Sequence, residues 1–281
     1  MKTIGIFVLI FFAFSGLVPK KKPHVVFVCG DHEYSGEVTM PLIAAELEKN
    51  YGLKCTVLSA SPNQNAEENI PNLEVLKTAD LAIFFLRWRR LPPDQLKEIE
   101  SYLTSGKPIM GFRTSTHAFN FPNDHPSAAW NAFGEWAFNS PPGWGKEGHT
   151  HYGHTSTTEV SVIADKAKHP ILTGVGTSFK AKSWLYHVLP KYPSNGSEGL
   201  LMGKSINSEK PNPVENPVAW VGKNKYGAKV FFTTLGHPED FSEEALQRLT
   251  INAIHWQLGK KIPKKWSGRI AINVPYRGIV K

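Results

Sequence analysis

A chain of 281 residues that is 41% hydrophobic and 20% charged can bury a substantial core, so it is neither disordered nor a disulfide-stapled miniature, and its length demands no more than one domain with decorations. The net charge of +8 would suit a nucleic-acid partner. No RNA- or DNA-binding signature accompanies it, and Lys260, Lys261, Lys264, Lys265, Arg269, Arg277 and Lys281 gather in or beside the C-terminal segment, where they read as a solvated tail.

Lys2, the apolar run Ile4 to Phe14, and the small residues Ala13 and Ser15 form a signal peptide over residues 1–15 with cleavage after Ser15; a buried N-terminal strand is the alternative. The run is too short to span a bilayer and no Cys follows it, so no stable membrane anchor is expected and the mature protein is expected to be periplasmic or secreted. A basic spacer, residues 16–23, leads into a strand from Val25 to Cys29, a helix from Pro41 to Asn50 stopped by Gly52, and a strand from Lys54 to Leu58, the opening of a βαβ series. Cys29 and Cys55 fall at opposite ends of these strands, too far apart to bridge, and are expected to be buried free thiols.

The apolar run Ala79 to Leu86 has the character of a buried strand. Pro92 and Pro93 open a helix whose buried face is Leu96, Ile99 and Leu103, and Ser105 to Pro108 close it before a strand from Pro108 to Phe112. Between Arg113 and Ser156 both helical and strand periods fail, and a segment that long without periodicity is usually functional. Shorter strands follow at Glu159–Ile163, near Phe179–Leu185 and at Gly199–Ser205, with an antiparallel pair at Pro217–Val221 and Val230–Thr234. Ser242 is read as the N-cap of a last helix carrying Leu246, Leu249, Ala253 and Trp256.

Doubly wound sheets bind ligands at the carboxyl ends of their strands. Those ends offer Asp31, His32 and Glu33, then Arg113 and His117, then His237, Glu239 and Asp240. His32, Glu33, His117, His237 and Glu239 are candidate acids and bases; Asp31 to Glu33 could equally be a capping turn, and Glu239 and Asp240 could merely favour a helix dipole. Arg113 could clamp a polarised oxygen or make a structural ion pair with Glu33 or Asp31. In the long loop, His149 and His151 alternate and Gly153 could turn in His154, a possible site for a divalent metal such as Zn, although such histidines also hydrogen-bond to carbonyls or to a sugar. Tyr34, Trp88, Trp136, Trp144 and Tyr152 are the aromatic candidates for stacking on a carbohydrate ring.

Val28-Cys29-Gly30-Asp31-His32-Glu33-Tyr34, Gly111 to Phe119, His151-Tyr152-Gly153-His154, His169-Pro170-Ile171 and the segment from Lys229 through Trp256 together resemble the ThuA-like family, named for trehalose utilisation. The resemblance spans residues 24 to 260, beyond which an extended tail, 261–281, remains; it is closest to exported members of sugar-degrading bacteria. It implies an α/β, flavodoxin-like sheet of the class I glutamine amidotransferase type, mostly parallel, with helices on both faces and an antiparallel edge. It also implies a role in disaccharide or keto-sugar catabolism with a small carbohydrate ligand. An amidotransferase needs a Gly-x-Cys-x-Gly elbow, and here Gly111-Phe112-Arg113-Thr114-Ser115 puts an arginine in the thiol's place, so amidotransferase chemistry is not expected; Ser115 is a conceivable displaced nucleophile. A non-catalytic sugar-binding protein of the same fold is the alternative to an enzyme.

Overall fold

The computed structural model describes residues 21–279 apart from 142, 191 and 195. The signal-peptide reading and most of the basic spacer therefore lie outside the described residues. The strands in chain order are β1 (His24–Gly30), β2 (Lys54–Ser59), β3 (Leu81–Leu86), β4 (Ile109–Phe112), β5 (Ser156–Val162), β6 (Ser178–Ala181), β7 (Glu198–Asn207), β8 (Glu215–Lys223) and β9 (Lys229–Thr233). The helices are α1 (Gly36–Asn50), α2 (Pro93–Thr104), α3 (Phe133–Phe138) and α4 (Glu244–Gln257).

All strands join one sheet in the order β2-β1-β3-β4-β9-β8-β7-β5-β6. From β2 to β9 the neighbours are parallel, and from β9 to β6 they are antiparallel, so the antiparallel part is a four-strand extension rather than a mere edge. The centre is read in continuous apolar runs because both faces are covered. α1 and α4 pack on one face over Val25, Phe27 and Phe231, while α2 and α3 pack on the other over Val26, Phe84 and Phe232. β2 and β3 flank β1 on opposite sides, which opens the crevice of a flavodoxin-type sheet at the carboxyl ends of β1 and β3.

Several boundaries differ from the sequence expectations for local reasons. α1 begins five residues before Pro41, because Ser35 adopts a left-handed conformation and Gly36 presses the first turn onto Phe85, where a Cβ would fall 2.8 Å from its ring. Pro41 is then carried inside the helix. The 113–156 segment is not featureless: it holds short 3₁₀ turns at Arg113–His117 and Ala128–Ala132 and then α3, whose Phe133 and Phe138 cover the sheet. β6 ends at Ala181, so the stretch through Leu185 leaves the sheet. Ser242 does not cap α4: it ends a 3₁₀ turn, its hydroxyl donates to the Glu239 carbonyl at 2.7 Å, and Glu243 takes the cap position. Cys29 pairs across from Ser59 rather than Cys55, and both thiols are free, but Cys55 is only half-buried because β2 is an edge strand.

The tail is not simply solvated. Ile270, Ile272, Val274 and Tyr276 turn inward while Arg269, Ala271, Asn273, Pro275 and Arg277 stay exposed, the alternation of an extended chain lying on a surface. Gln247 of α4 fastens it, donating to the Ile270 carbonyl at 2.9 Å and accepting from the Ile270 N–H at 2.8 Å. Ser267 bonds to Glu46 and Tyr51 on and beside α1.

Candidate functional site

The switch point at β1 and β3 holds a compact charged cluster. Asp31 is buried and folds the chain back by accepting from the N–H of Glu33 at 3.2 Å and of Tyr34 at 2.6 Å. Burial, with the neighbouring Glu33, pushes its carboxyl up to about 7. This turn sends the next two side chains toward β3. Glu33 pairs with Arg87 (Nε to Oε2, 2.8 Å), and the Arg87 guanidinium lies 3.5 Å over the Trp88 ring. His32 sits between Arg87, at 2.6 Å, and Arg89, and burial together with these two cations draws its imidazole down to about 4. Arg89 is fully buried and also donates to the Arg87 carbonyl at 2.7 Å.

β4 delivers Arg113 at a sharp strand-to-turn corner where its φ is +39°, a strained conformation for a residue with a Cβ. The corner has the form of a nucleophile elbow with a guanidinium in the nucleophile's place. Gly236 makes room for it: a Cβ there would lie 3.2 Å from the Arg113 Cβ, and its φ of +141° suits glycine. The guanidinium is fully buried, donates to the Thr234 carbonyl (3.0 Å), the Trp184 carbonyl (3.4 Å) and the Tyr34 hydroxyl (3.0 Å), and lies over the Tyr34 and Tyr186 rings. It neither pairs with Glu33 or Asp31, which are bonded to Arg87 and to backbone amides, nor reaches solvent as a clamp would.

Beyond the corner, Thr116 links two imidazoles: His117 Nδ1 at 2.8 Å and His149 Nε2 at 2.9 Å, with His149 Nδ1 3.3 Å from the His187 carbonyl. The carbonyl can only accept, so His149 Nδ1 donates, the Thr116 hydroxyl donates to His149 Nε2, and His117 Nδ1 donates to Thr116. The relay thus leaves the lone pair of His117 on Nε2. Burial and the surrounding positive groups keep His117 well below its ordinary value, and burial draws His149 down to about 4, so both are neutral. Trp144 packs 4.8 Å from the His117 ring, and Trp88 lies 6.3 Å from it.

At the end of β9, Asp240 accepts from the backbone N–H groups of Lys182, Ser183, Gly236 and His237 and from the Ser183 hydroxyl. It is a buttress that fixes the turn. His237 accepts at Nδ1 from the Glu239 N–H at 3.3 Å, so the neutral ring carries its proton on Nε2, and burial with Arg113 holds it down to about 4. Glu239 itself is exposed at the rim. His237, Glu239, His154, Lys182, Trp184 and Tyr276 line a cleft of about 530 Å³.

His32, Glu33, Tyr34, Trp88, Arg113, His117, Trp144 and His237 are brought together by these contacts, with His149 joined through Thr116 and His154 and Glu239 at the His237 cleft; Trp136 and Tyr152 are not. Trp136 packs on Trp130 and under Lys225 in the β8–β9 turn, and Tyr152 is bonded to the Asn212 carbonyl in the β7–β8 turn, so both are anchors of structure. The three loop histidines do not converge: His149 is held in the Thr116 relay, while His151 and His154 pair with each other at 4.4 Å against Trp184. Among the described residues no group of His, Cys, Asp or Glu side chains is arranged to hold a metal ion. The residues that sequence reasoning passed over are Arg87 and Arg89, which directly follow β3, Trp184 and Tyr186 in the irregular segment after β6, and Tyr276 in the tail.

Ser115 is no displaced nucleophile. Its hydroxyl donates to the Phe84 carbonyl at 2.9 Å and accepts from the Leu86 N–H at 3.1 Å, stitching the turn to β3. Ser115→Ala is expected to leave any activity unchanged and to cost about 1–3 kcal/mol of stability through the orphaned Leu86 N–H, read from urea unfolding. Burial pushes both thiols far above the usual cysteine range, Cys55 up to about 12, which disfavours a thiolate at either position.

The sequence profile of the ThuA family, described as trehalose utilisation, matches residues 24–257. A comparison with curated proteins returns no significant match. Among solved structures, a ThuA-like protein from Parabacteroides merdae is similar at 15% identity and TM-score 0.61, over 92% of this chain and 98% of that one. A ThuA-like protein from Bacteroides uniformis is similar at 19% identity and TM-score 0.57, over 86% of this chain and 94% of that one. These two share the fold. With the profile covering most of its length, the chain belongs to the ThuA family and, through it, to proteins connected with carbohydrate utilisation.

Proposed function

We propose that the chain is an exported enzyme that acts on a glycoside or its 3-keto derivative by abstracting a proton beside a carbonyl. The observation that carries this is the concentration of buried cations at the strand ends: Arg87, Arg89 and Arg113 stand among two buried carboxylates, ion-paired Glu33 and backbone-bonded Asp240, and one carboxyl, Asp31, that burial pushes up to about 7. Such a field favours a substrate whose negative charge grows during reaction, and a keto sugar becomes an enolate. Glu33 is the base: its carboxylate takes the C–H proton, the C–H electron pair forms the C=C bond, and the carbonyl π pair moves onto oxygen. Transfer of the proton of the adjacent hydroxyl to the enolate oxygen, followed by return of the proton from Glu33 to the former carbonyl carbon as the C=C pair takes it up and the new carbonyl closes, completes an isomerisation. Loss of a β-substituent from the same enolate would instead complete an elimination.

His237 presents a neutral Nε2–H suited to hold the developing oxyanion, and His117 presents an Nε2 lone pair suited to a sugar hydroxyl. Arg113, being inaccessible, acts at a distance and through the Tyr34 hydroxyl. Glu33→Gln is expected to lower turnover of a 3-keto-glycoside about 10²–10⁴-fold, followed by mass spectrometry of the products. Undiminished turnover would remove Glu33 from the role, and sugar binding without turnover by the wild-type protein would favour a binding protein instead.

A further inference from the structure

We infer that the C-terminal tail is part of the ligand site, with Tyr276 forming one wall of the carbohydrate cleft. This rests on the proposed function for the nature of the ligand, and the position of the tail stands on its own geometry. The family profile ends at 257, yet the chain continues along α4 and α1, pinned by Gln247 and by the inward Ile272 and Val274. It delivers Tyr276 to the carboxyl ends of β1 and β9.

There the Tyr276 ring lies 4.7 Å from His237, 5.7 Å from Tyr34 and 5.7 Å from Trp184 between centroids, and its hydroxyl donates to Glu33 Oε1 at 3.4 Å. One side chain from outside the family domain thus touches the carboxylate at β1 and the imidazole at β9. It is half-buried, with the cleft of about 530 Å³ against its free side. The lining pairs two aromatic rings, Tyr276 and Trp184, with polar groups from His237, His154, Lys182 and Glu239. Flat apolar faces beside hydrogen-bonding groups match a pyranose, whose axial C–H groups stack on rings while its hydroxyls need donors and acceptors. Tyr276 is accordingly a positioning and specificity residue that packs against the sugar ring and steadies the Glu33 carboxylate.

The test combines a ligand-free and a ligand-bound measurement on the full chain. In the absence of ligand, diethyl pyrocarbonate modification of His237, mapped by mass spectrometry, is expected to be about tenfold faster in Tyr276→Ala than in wild type, because the covering ring is gone. An unchanged rate would overturn the placement of the tail. Calorimetric titration with trehalose and with methyl α-glucopyranoside is expected to show about tenfold weaker binding in Tyr276→Ala and near wild-type binding in Tyr276→Phe, which keeps the ring.

Equal affinity of Tyr276→Ala and wild type would overturn the role in ligand contact. If wild type binds neither sugar while His237 is still uncovered by the substitution, the carbohydrate reading fails and with it the sugar contact, but the tail's place over the site stands. Should Tyr276→Ala not fold, Gln247→Leu, which unfastens the tail from α4, is expected to produce the same two changes, and its failure to produce either overturns the inference.

Discussion

Asp240→Ala is expected to lower the stability of the folded protein by about 3–5 kcal/mol, because it orphans several buried donors that cost about 1–3 kcal/mol each. The carboxylate is buried and accepts from four backbone N–H groups and one hydroxyl, which join the segment after β6 to the turn after β9. Alanine leaves the N–H groups of Lys182 and Ser183 and the Ser183 hydroxyl in a dry interior without this acceptor, while the N–H groups of Gly236 and His237 keep only the Ser183 hydroxyl oxygen, 3.1 Å from each. Because the same bonds hold Gly236 and His237 in place, the variant is also expected to expose His237 to faster modification by diethyl pyrocarbonate. Asp240→Asn, which keeps one carbonyl oxygen but sets an NH₂ among donors, is expected to lose nearly as much stability. Urea unfolding measures both, and a loss below about 1 kcal/mol in the alanine variant would refute the buttress role.

Acid is expected to destabilise the protein steeply between pH 6.5 and 4. His32, His149 and His237 are buried and held down to about 4 in the folded protein, against an ordinary value of 6.5. Across that window the unfolded chain binds protons that the folded one refuses, so stability is fully present above pH 6.5 and is lost as the pH falls. At about 1.4 kcal/mol per unit, each imidazole accounts for on the order of 3 kcal/mol. Asp31 works in the opposite sense: its folded-state pKa is raised to about 7, so it favours the folded state as the pH falls toward 3.8. One carboxyl offsets only part of three imidazoles, and the net loss is comparable with the whole stability of a typical domain. A urea midpoint that stays constant from pH 7 to 4.5 would contradict this; a His237→Gln variant should show a shallower decline.

Much of the site was legible because a parallel sheet exposes its chemistry where strands end. Arg113 follows an apolar run directly and His32, Glu33, His117 and His237 lie a few residues beyond one, and a strand's length can be read from such runs. Arg87 and Arg89 carry the same signal after Leu86, with only the intervening Trp88 singled out. Trp184 and Tyr186 could not be found this way, since the chain from Lys182 onward has left the sheet and no period governs it.

Trp136 and Tyr152 show the converse: an aromatic residue in a loop looks the same in sequence whether it holds a ligand or the loop itself. Alternation failed for His149 and His151 because it requires a regular extended strand, and only His151 is bridged to a neighbour, Tyr186. For the tail the same rule would have succeeded. Ile270, Ile272, Val274 and Tyr276 alternate with exposed residues, but the surrounding lysines and arginines drew the reading toward solvent.

The pairing of β4 with β9 sets an order on how the molecule comes into being. On the edge that faces away from β3, Ile109 to Phe112 find their partners in Val230 to Thr233, so while the chain is being synthesised that open edge of β4 waits through the making of every antiparallel strand. Until β9 is delivered, β4 presents unpaired amides and carbonyls along an apolar surface, the kind of edge that recruits a neighbouring nascent chain. Arg113 stands at the end of the first of these strands and His237 just beyond the second, and Tyr276 emerges later still. A ribosome that stalls anywhere before β9 therefore releases a product with a sticky edge and no site, and only the finished chain both closes the sheet and assembles the cluster.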